Sequence, residues 1–335
     1  MTLAVWSETE KERGTTMKKI FIDGSAGTTG LNIRERLKNR QEIELLTLEE
    51  ERRKDIDARL SMIKEADAAF LCLPDAASRE IVQLAGDVDT VLIDTSTAHR
   101  TAQGWTYGLP ELKGKRKVIA GAKRIANPGC HATGYIVLTA PLAEAGILDP
   151  EKTLSFTSLT GYSGGGKRMI AEYEAPERDP LLKAPRMYGL SQQHKHLPEM
   201  VMYSGINKAP VFCPVVGDFY SGMEAIVTFD QAEAHGGCDN SDFSGFLLKI
   251  YEDYYGDSDI IKVRRECDEG GFLSAAAFSG KDVLEISVWG GEGRTVLTAR
   301  YDNLGKGASG AAIQNMNIAL GFQETEGLLL GADNP

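Results

Sequence analysis

The chain has no set of cysteines that could brace it. Five occur among 335 residues, at positions 72, 130, 213, 238 and 267. The number is odd and no two have C-x-x-C spacing, which argues against a disulfide framework and fits a reducing cytoplasm. Long apolar runs are also missing, and nothing approaches the roughly 20 residues of a membrane span. The first sixteen residues, MTLAVWSETEKERGTT, lack the basic start and apolar centre of a secretory signal and read as a disordered extension ahead of Met17. Basic residues are in deficit, 37 Lys and Arg against 48 Asp and Glu, for a net charge of −11. That excludes nucleic acid or an anionic membrane as the main partner. A small anionic ligand stays open, because a few local Arg or Lys suffice for it. Internal repeats and low-complexity tracts are absent as well.

What is present is a change of texture along the chain. KKIFIDG (18–24), IELLTL (43–48), ADAAFLCLPD (66–75), DTVLIDTST (89–97) and RKVIAGA (116–122) read as buried strands. Helical periodicity appears between them at 28–40 and 77–86. Continuous apolar strands alternating with helices predict a parallel sheet covered on both faces, a Rossmann-type α/β domain. Past a helix over 131–146 the strands come closer together, at 153–166, 209–230, 260–266, 282–290 and 294–302, with one clear helix at 241–256. This predicts a second, α+β domain with a mixed or antiparallel sheet. A small-residue helix at 306–322 is placed to return to the first domain. The expected organisation is therefore 17–130 plus 303–335 for the nucleotide-type domain and 131–302 for the catalytic and oligomerisation domain.

The first strand runs into Gly24-Ser25-Ala26-Gly27-Thr28-Thr29-Gly30, and a helix follows. Glycines there permit a tight turn and close approach of backbone to a pyrophosphate at a helix N-terminus. A plain βα turn is the alternative reading. After the second strand come Glu49, Glu50 and Glu51, then Arg52, Arg53 and Lys54. An acidic residue at that strand end suits NAD, whereas a guanidinium suits the 2′-phosphate of NADP, and a solvated mixed-charge loop suits neither.

Asn127-Pro128-Gly129-Cys130 carries the sharpest chemical signal. A cysteine entering a helix N-terminus meets unpaired N–H groups and the positive end of the helix dipole, both of which favour thiolate. A buried, inert cysteine is the competing reading. A nucleophile of this kind needs a base and a proton donor, and SQQHKHLPEM (191–200) supplies His194 and His196 with Glu199 to orient one of them. The same three residues also have the donor types of a zinc site, but no second cluster of ligands accompanies them. Ser96, His99 and Arg100 follow the fourth strand, where open α/β sheets bind ligands. Ser163, the consecutive glycines after it and Lys167 could form a backbone nest for an anion.

The ordered set of segments resembles the short-form (type 2) N-acetyl-γ-glutamyl-phosphate reductases from Met17 to about Phe322. GSAGTTG (24–30), LCLPDAASRE (71–80), DTSTAHR (94–100), YGLPEL (107–112), NPGC (127–130), GYSGGGKRMIAEYE (161–174), HKHLPEM (194–200), VGDFYSGM (216–223) and NLGKGASGAAIQNMN (303–317) carry the resemblance. It implies NADPH-dependent reduction of an acyl phosphate to a semialdehyde in arginine biosynthesis, through a thioester on Cys130 with His194 as acid/base. It also implies substrate contacts at Arg100, Ser163, Lys167, His196 and Glu199, no metal, and a homodimer or homotetramer. Cofactor contacts are expected from the 24–30 loop, Arg52, Arg53, Ser96 and Asn303. One departure stands out: an aromatic residue and a proline usually follow the cysteine in this family, whereas His131 and Ala132 follow it here. Related aspartate-semialdehyde-type or carrier-linked reductases share the chemistry. A non-catalytic NADP-binding regulator would share only the fold.

Overall fold

The structure is a computed structural model that describes residues 17–234 and 242–331. The expected extension over 1–16, and Cys238, lie outside the described residues.

Six strands build the first sheet: β1 (Lys18–Asp23), β2 (Ile43–Leu46), β3 (Ala68–Leu71), β4 (Val91–Asp94), β5 (Thr106–Tyr107) and β6 (Arg124–Ala126). Their spatial order is β2-β1-β3-β4-β6-β5 and every pairing is parallel. Helices α1 (Thr28–Leu37), α2 (Ile56–Glu65), α3 (Asp75–Ala85) and α4 (Lys115–Ala120) connect them. β3 and β4 are buried at every position, as strands covered on both faces must be. The order reverses between β1 and β3, and the crevice outside the strand ends at such a point is where ligands enter this architecture.

One expected strand is a helix. Residues 115–120 form α4, and a short strand, the three-residue β6, comes after it instead. The reason is visible in burial: Ile119 is fully buried while neighbouring Val118 is 53% exposed, a one-sided pattern that a doubly covered strand would not show. Gly114 precedes the helix at a φ of +74°, a turn open to glycine.

The second sheet has seven strands: β7 (Ser155–Gly161), β8 (Arg186–Met187), β9 (Val211–Gly217), β10 (Met223–Asp230), β11 (Ile261–Val263), β12 (Leu284–Gly291) and β13 (Arg294–Tyr301). Their order is β11-β12-β13-β10-β7-β9-β8, with parallel pairing only at β11–β12 and β7–β9, so the sheet is mixed. Helices α5 (Cys130–Glu144) and α8 (Phe243–Tyr255) pack on one face. Phe156, Phe212, Ala225, Val227, Ile286 and Leu297 point into that core. On the opposite face Thr157, Leu159, Cys213, Val215, Ile226 and Val296 stay partly exposed. Two short helices escape the sequence reading, α6 (Gly166–Glu174) and α7 (Leu197–Tyr203). The last helix, α9 (Gly310–Leu320), follows a π-helical turn over 305–309 and packs under the first sheet, with Ala312, Ile313 and Met316 in its core.

α5 joins the two sheets and is buried nearly all round. Pro141 lies inside it and cannot donate to the carbonyl of Val137. The Tyr255 hydroxyl donates to that carbonyl instead, at 2.9 Å, so α8 completes the hydrogen bonding of α5.

Candidate active site

Cys130 is the first residue of α5, with Gly129 as an extended N-cap that has no side-chain bond to the helix. The approach to it is very tight. A Cβ on Gly129 would lie 2.4 Å from Arg100 Nη1 and 2.6 Å from His196 Nε2, so only glycine passes. A Cβ on Gly307, in the turn before α9, would meet the Cys130 Cβ at 3.0 Å. The Tyr301 hydroxyl donates to the Cys130 carbonyl at 2.6 Å and accepts from Gly134 N–H at 3.1 Å, which pins the first turn of α5 to β13.

A cavity of about 330 Å³ opens over this cysteine and is lined by Arg100, Cys130, Ser163, His194, His196 and Asn303 among others. Thr28 and Thr29, from the start of α1, also reach it. Burial raises the Cys130 thiol above its ordinary pKa, while the Arg100 charge and the His131 N–H pull the other way. Burial wins in direction, against the lowering that the sequence context favours. His194 is half-buried, and burial with the Lys195 charge lowers it to about 4. Its Nδ1 accepts from the His196 N–H at 3.2 Å, which leaves the ring proton on Nε2 in the neutral form. His196 is held well below the ordinary value by burial and by Arg100. Its Nδ1 is buried with no partner.

Glu199 does not line the cavity. It is buried behind it, with Oε1 accepting from Arg100 Nη1 at 2.6 Å and Oε2 accepting from the Tyr107 hydroxyl at 2.7 Å and Gly129 N–H at 3.0 Å. Arg100 also donates from Nε to the Asn127 carbonyl at 2.9 Å. One carboxylate thus ties α7, the post-β4 segment and the turn before Cys130 together. Lys167 is exposed on α6 and does not line the cavity, whereas Lys195, also exposed, does. Ser163 Oγ accepts from Asn303 Nδ2 at 3.0 Å, so its own O–H is left to donate inward. Ser96 and His99 lie beside the site but both bond Asp94, at 2.9 and 2.6 Å, and His99 stacks on Trp105. No group of three His, Cys, Asp or Glu side chains among the described residues is arranged to hold a metal.

The glycine loop stands between this cavity and a second one of about 690 Å³, which Gly24, Ser25, Arg34, Arg53, Lys54 and Arg59 line. Gly24 has a φ of +83°, and a Cβ there would collide with the Cys72 carbonyl at 2.2 Å. A Cβ on Gly30 would lie 2.6 Å from the Gly24 carbonyl. Gly27 is the uncapped N-cap of α1 and has no such crowding. A dinucleotide fits this arrangement: bare helix N–H groups, a backbone free of side chains, and cations at the far end. Arg53 belongs to that end. Arg52 turns away to pair with Asp55. Arg59 is committed to a bidentate pair with Asp23, its Nη2 at 2.8 Å from Oδ2.

The parallel sheet with its glycine loop and the mixed-sheet domain carrying cysteine and histidines define a semialdehyde dehydrogenase. Models of the semialdehyde dehydrogenase NAD-binding domain and dimerisation domain match residues 19–122 and 130–303 respectively. Within that class, the chain belongs to the N-acetyl-γ-glutamyl-phosphate reductase family. It is 41% identical to the N-acetyl-γ-glutamyl-phosphate reductase 2 of Nostoc sp., over 92% of this chain and 99% of the relative. It is 43% identical to the reductase of Brucella ovis, over 90% and 99%. Among solved structures it is similar to aspartate semialdehyde dehydrogenase II from Vibrio cholerae, with a TM-score of 0.68, 18% identity and coverage of 91% and 98%. It is also similar to the Candida albicans aspartate semialdehyde dehydrogenase with NADP, with a TM-score of 0.62, 14% identity and coverage of 90% and 98%. Those two likenesses concern the fold.

Proposed function

We propose that this chain reduces N-acetyl-γ-glutamyl phosphate to N-acetylglutamate 5-semialdehyde, releasing phosphate, as an NADPH-dependent step of arginine biosynthesis in the cytoplasm. The observation that carries this reading is one cavity bringing Cys130 at a helix start together with His194, Arg100 and Ser163. The two reductase relatives covered nearly end to end supply the substrate.

In this reading residues 17–130 with 303–335 hold the cofactor and 131–302 carry the chemistry. The 24–30 loop receives the pyrophosphate, and Arg53 with Lys54 meets the 2′-phosphate, which favours NADP over NAD. No free carboxylate lines that end of the cavity: Asp23, its acidic lining residue, is already paired with Arg59. Asn303 and Ser96 act on the cofactor side by holding Ser163 and the post-β4 turn in place.

Cys130 gives its proton to His194 and attacks the acyl carbonyl. For that step the imidazole offers its Nε2 lone pair, so the proton sits on Nδ1 and the bond from His196 N–H is released. His194 then passes the proton to the departing phosphate, whose charge Lys195 and the Ser163 O–H receive. The acyl group is left on sulfur as a thioester. Bound NADPH supplies the hydride that reduces it. The resulting oxyanion lies near the helix N–H groups at Cys130, and its collapse expels thiolate, which the Arg100 field stabilises. The match to a dimerisation domain supports a homo-oligomer, and the partly exposed sheet face around Leu159, Val215 and Ile226 is the surface through which two copies pair.

The test is the reverse reaction with semialdehyde, phosphate and NADP, followed by NADPH absorbance, alongside mass spectrometry of quenched forward reactions. An acyl adduct on Cys130 that is absent from Cys130→Ser, with NADPH binding retained in the variant, is expected. Turnover by Cys130→Ser near the wild-type rate would end the covalent route.

A further inference from the structure

The structure gives His131, the residue after Cys130, a task. His131 is buried with both ring nitrogens engaged, Nδ1 with Ser158 Oγ at 2.8 Å and Nε2 with the Tyr188 hydroxyl at 2.7 Å. It cannot turn toward Cys130 without leaving a buried partner unpaired. Burial holds it neutral, down at about 3, so it brings no cation to the sulfur. Burial also keeps the Tyr188 phenol protonated. The Tyr188 hydroxyl and Ser158 Oγ are each satisfied by the neutral ring in either tautomer. Tyr188 follows the two-residue edge strand β8, and its ring lines the cavity over Cys130 together with His131. The His131 ring also meets His194 edge-on, with centroids 5.5 Å apart.

We propose that His131 is a positioning residue: through the Tyr188 hydroxyl it fixes the ring that walls the cavity, and the pair sets how tightly the acyl substrate is held. A hydrocarbon ring at 131 would leave that phenol without its hydrogen-bond partner. This rests on the reading of the cavity as an acyl-phosphate site.

Tyr188→Phe removes the hydroxyl alone. KM for the acyl phosphate is expected to rise about 3–10-fold, the size of one lost buried hydrogen bond, with kcat and NADPH affinity held. His131→Phe is expected to match it, and the double variant to be no worse than either single one. An unchanged KM in Tyr188→Phe, or KM effects of the two changes that multiply, would overturn the proposal. Alkylation of Cys130 by iodoacetamide across pH, without substrate, gives an independent readout. Its midpoint is expected to stay put in His131→Phe. An upward shift would make the imidazole an electrostatic partner of the thiol and not a positioning residue. Failure of the underlying reading shows separately, as wild-type protein that binds NADPH and alkylates normally yet never turns over the acyl phosphate, and that result takes this proposal with it.

Discussion

Gly129 and Lys195 show how the site is set residue by residue. The Gly129 α-carbon faces Arg100, Glu199 and His196, and each of these is pinned by its own bonds or by burial. Gly129→Ala must push them apart, and a misplacement of that order costs about 10²-fold in kcat/KM. The circular dichroism spectrum of the variant should remain that of the wild type. Lys195 and Lys167 make a paired prediction. Lys195 lines the cavity, so Lys195→Met should raise KM for the acyl phosphate and flatten its dependence on salt. Lys167 does not line the cavity, so Lys167→Met should change neither. Steady-state kinetics at two ionic strengths decides both. At this scale the sequence was a good guide wherever chemistry sits in one short peptide. Cys130 and the His-Lys-His segment could be read directly. Glu199 could not, because its partners Arg100 and Tyr107 are 99 and 92 positions away. Nor could the upward push on the Cys130 thiol, since a helix terminus is visible in sequence and burial is not.

α5 is the element on which the site depends. A Cβ on Gly134 would lie 2.4 Å from the Ala225 Cβ and 2.5 Å from the Tyr301 hydroxyl, so the helix seats on β10 and β13 only because nothing is there. Gly134→Ala is expected to lower stability by about 1–3 kcal/mol, the usual cost of overpacking, and to lower kcat because Cys130 rides on the same helix. Urea melts with matched kinetics test both halves; full stability with normal kcat would show that the helix can shift freely. The helix was legible from its spacing and from Gly146. The strand expected over 116–122 was not a strand, since a three-residue apolar run has no period, and one-sided burial of Ile119 only appears once α9 packs against α4.

Across the whole molecule, burial governs how stability responds to pH. His131, His194 and His196 all have folded pKa values below the ordinary 6.5. The unfolded chain therefore binds protons below about 6.5 that the folded chain refuses. Stability from this source is complete above that pH and is lost as pH falls toward 4, with up to three protons taken up on unfolding. Denaturant melts between pH 7 and 5 should show the decline, and His131→Phe should reduce the uptake by about one proton. A slope unchanged by that substitution would mean His131 is not refusing its proton in the folded state. In solution the chain of 36.4 kDa should migrate as a multiple of that mass, and Ile226→Arg on the partly exposed sheet face should shift it toward the monomer.

The amino-acid sequence alone determined the two-domain α/β and α+β plan and pointed to the glycine loop and to Cys130 with its histidines. Each depends on periodicity or on a short run of residue types, and both are properties of neighbours along the chain. Only the tertiary structure decided that Glu199 stands behind the cavity while Lys195, still exposed, lines it, that Arg52 pairs with Asp55 and does not line the glycine-loop cavity, and that burial pushes the Cys130 thiol up. Those outcomes follow from which distant groups are packed together and from how much water is excluded, and neither quantity exists until the chain has folded.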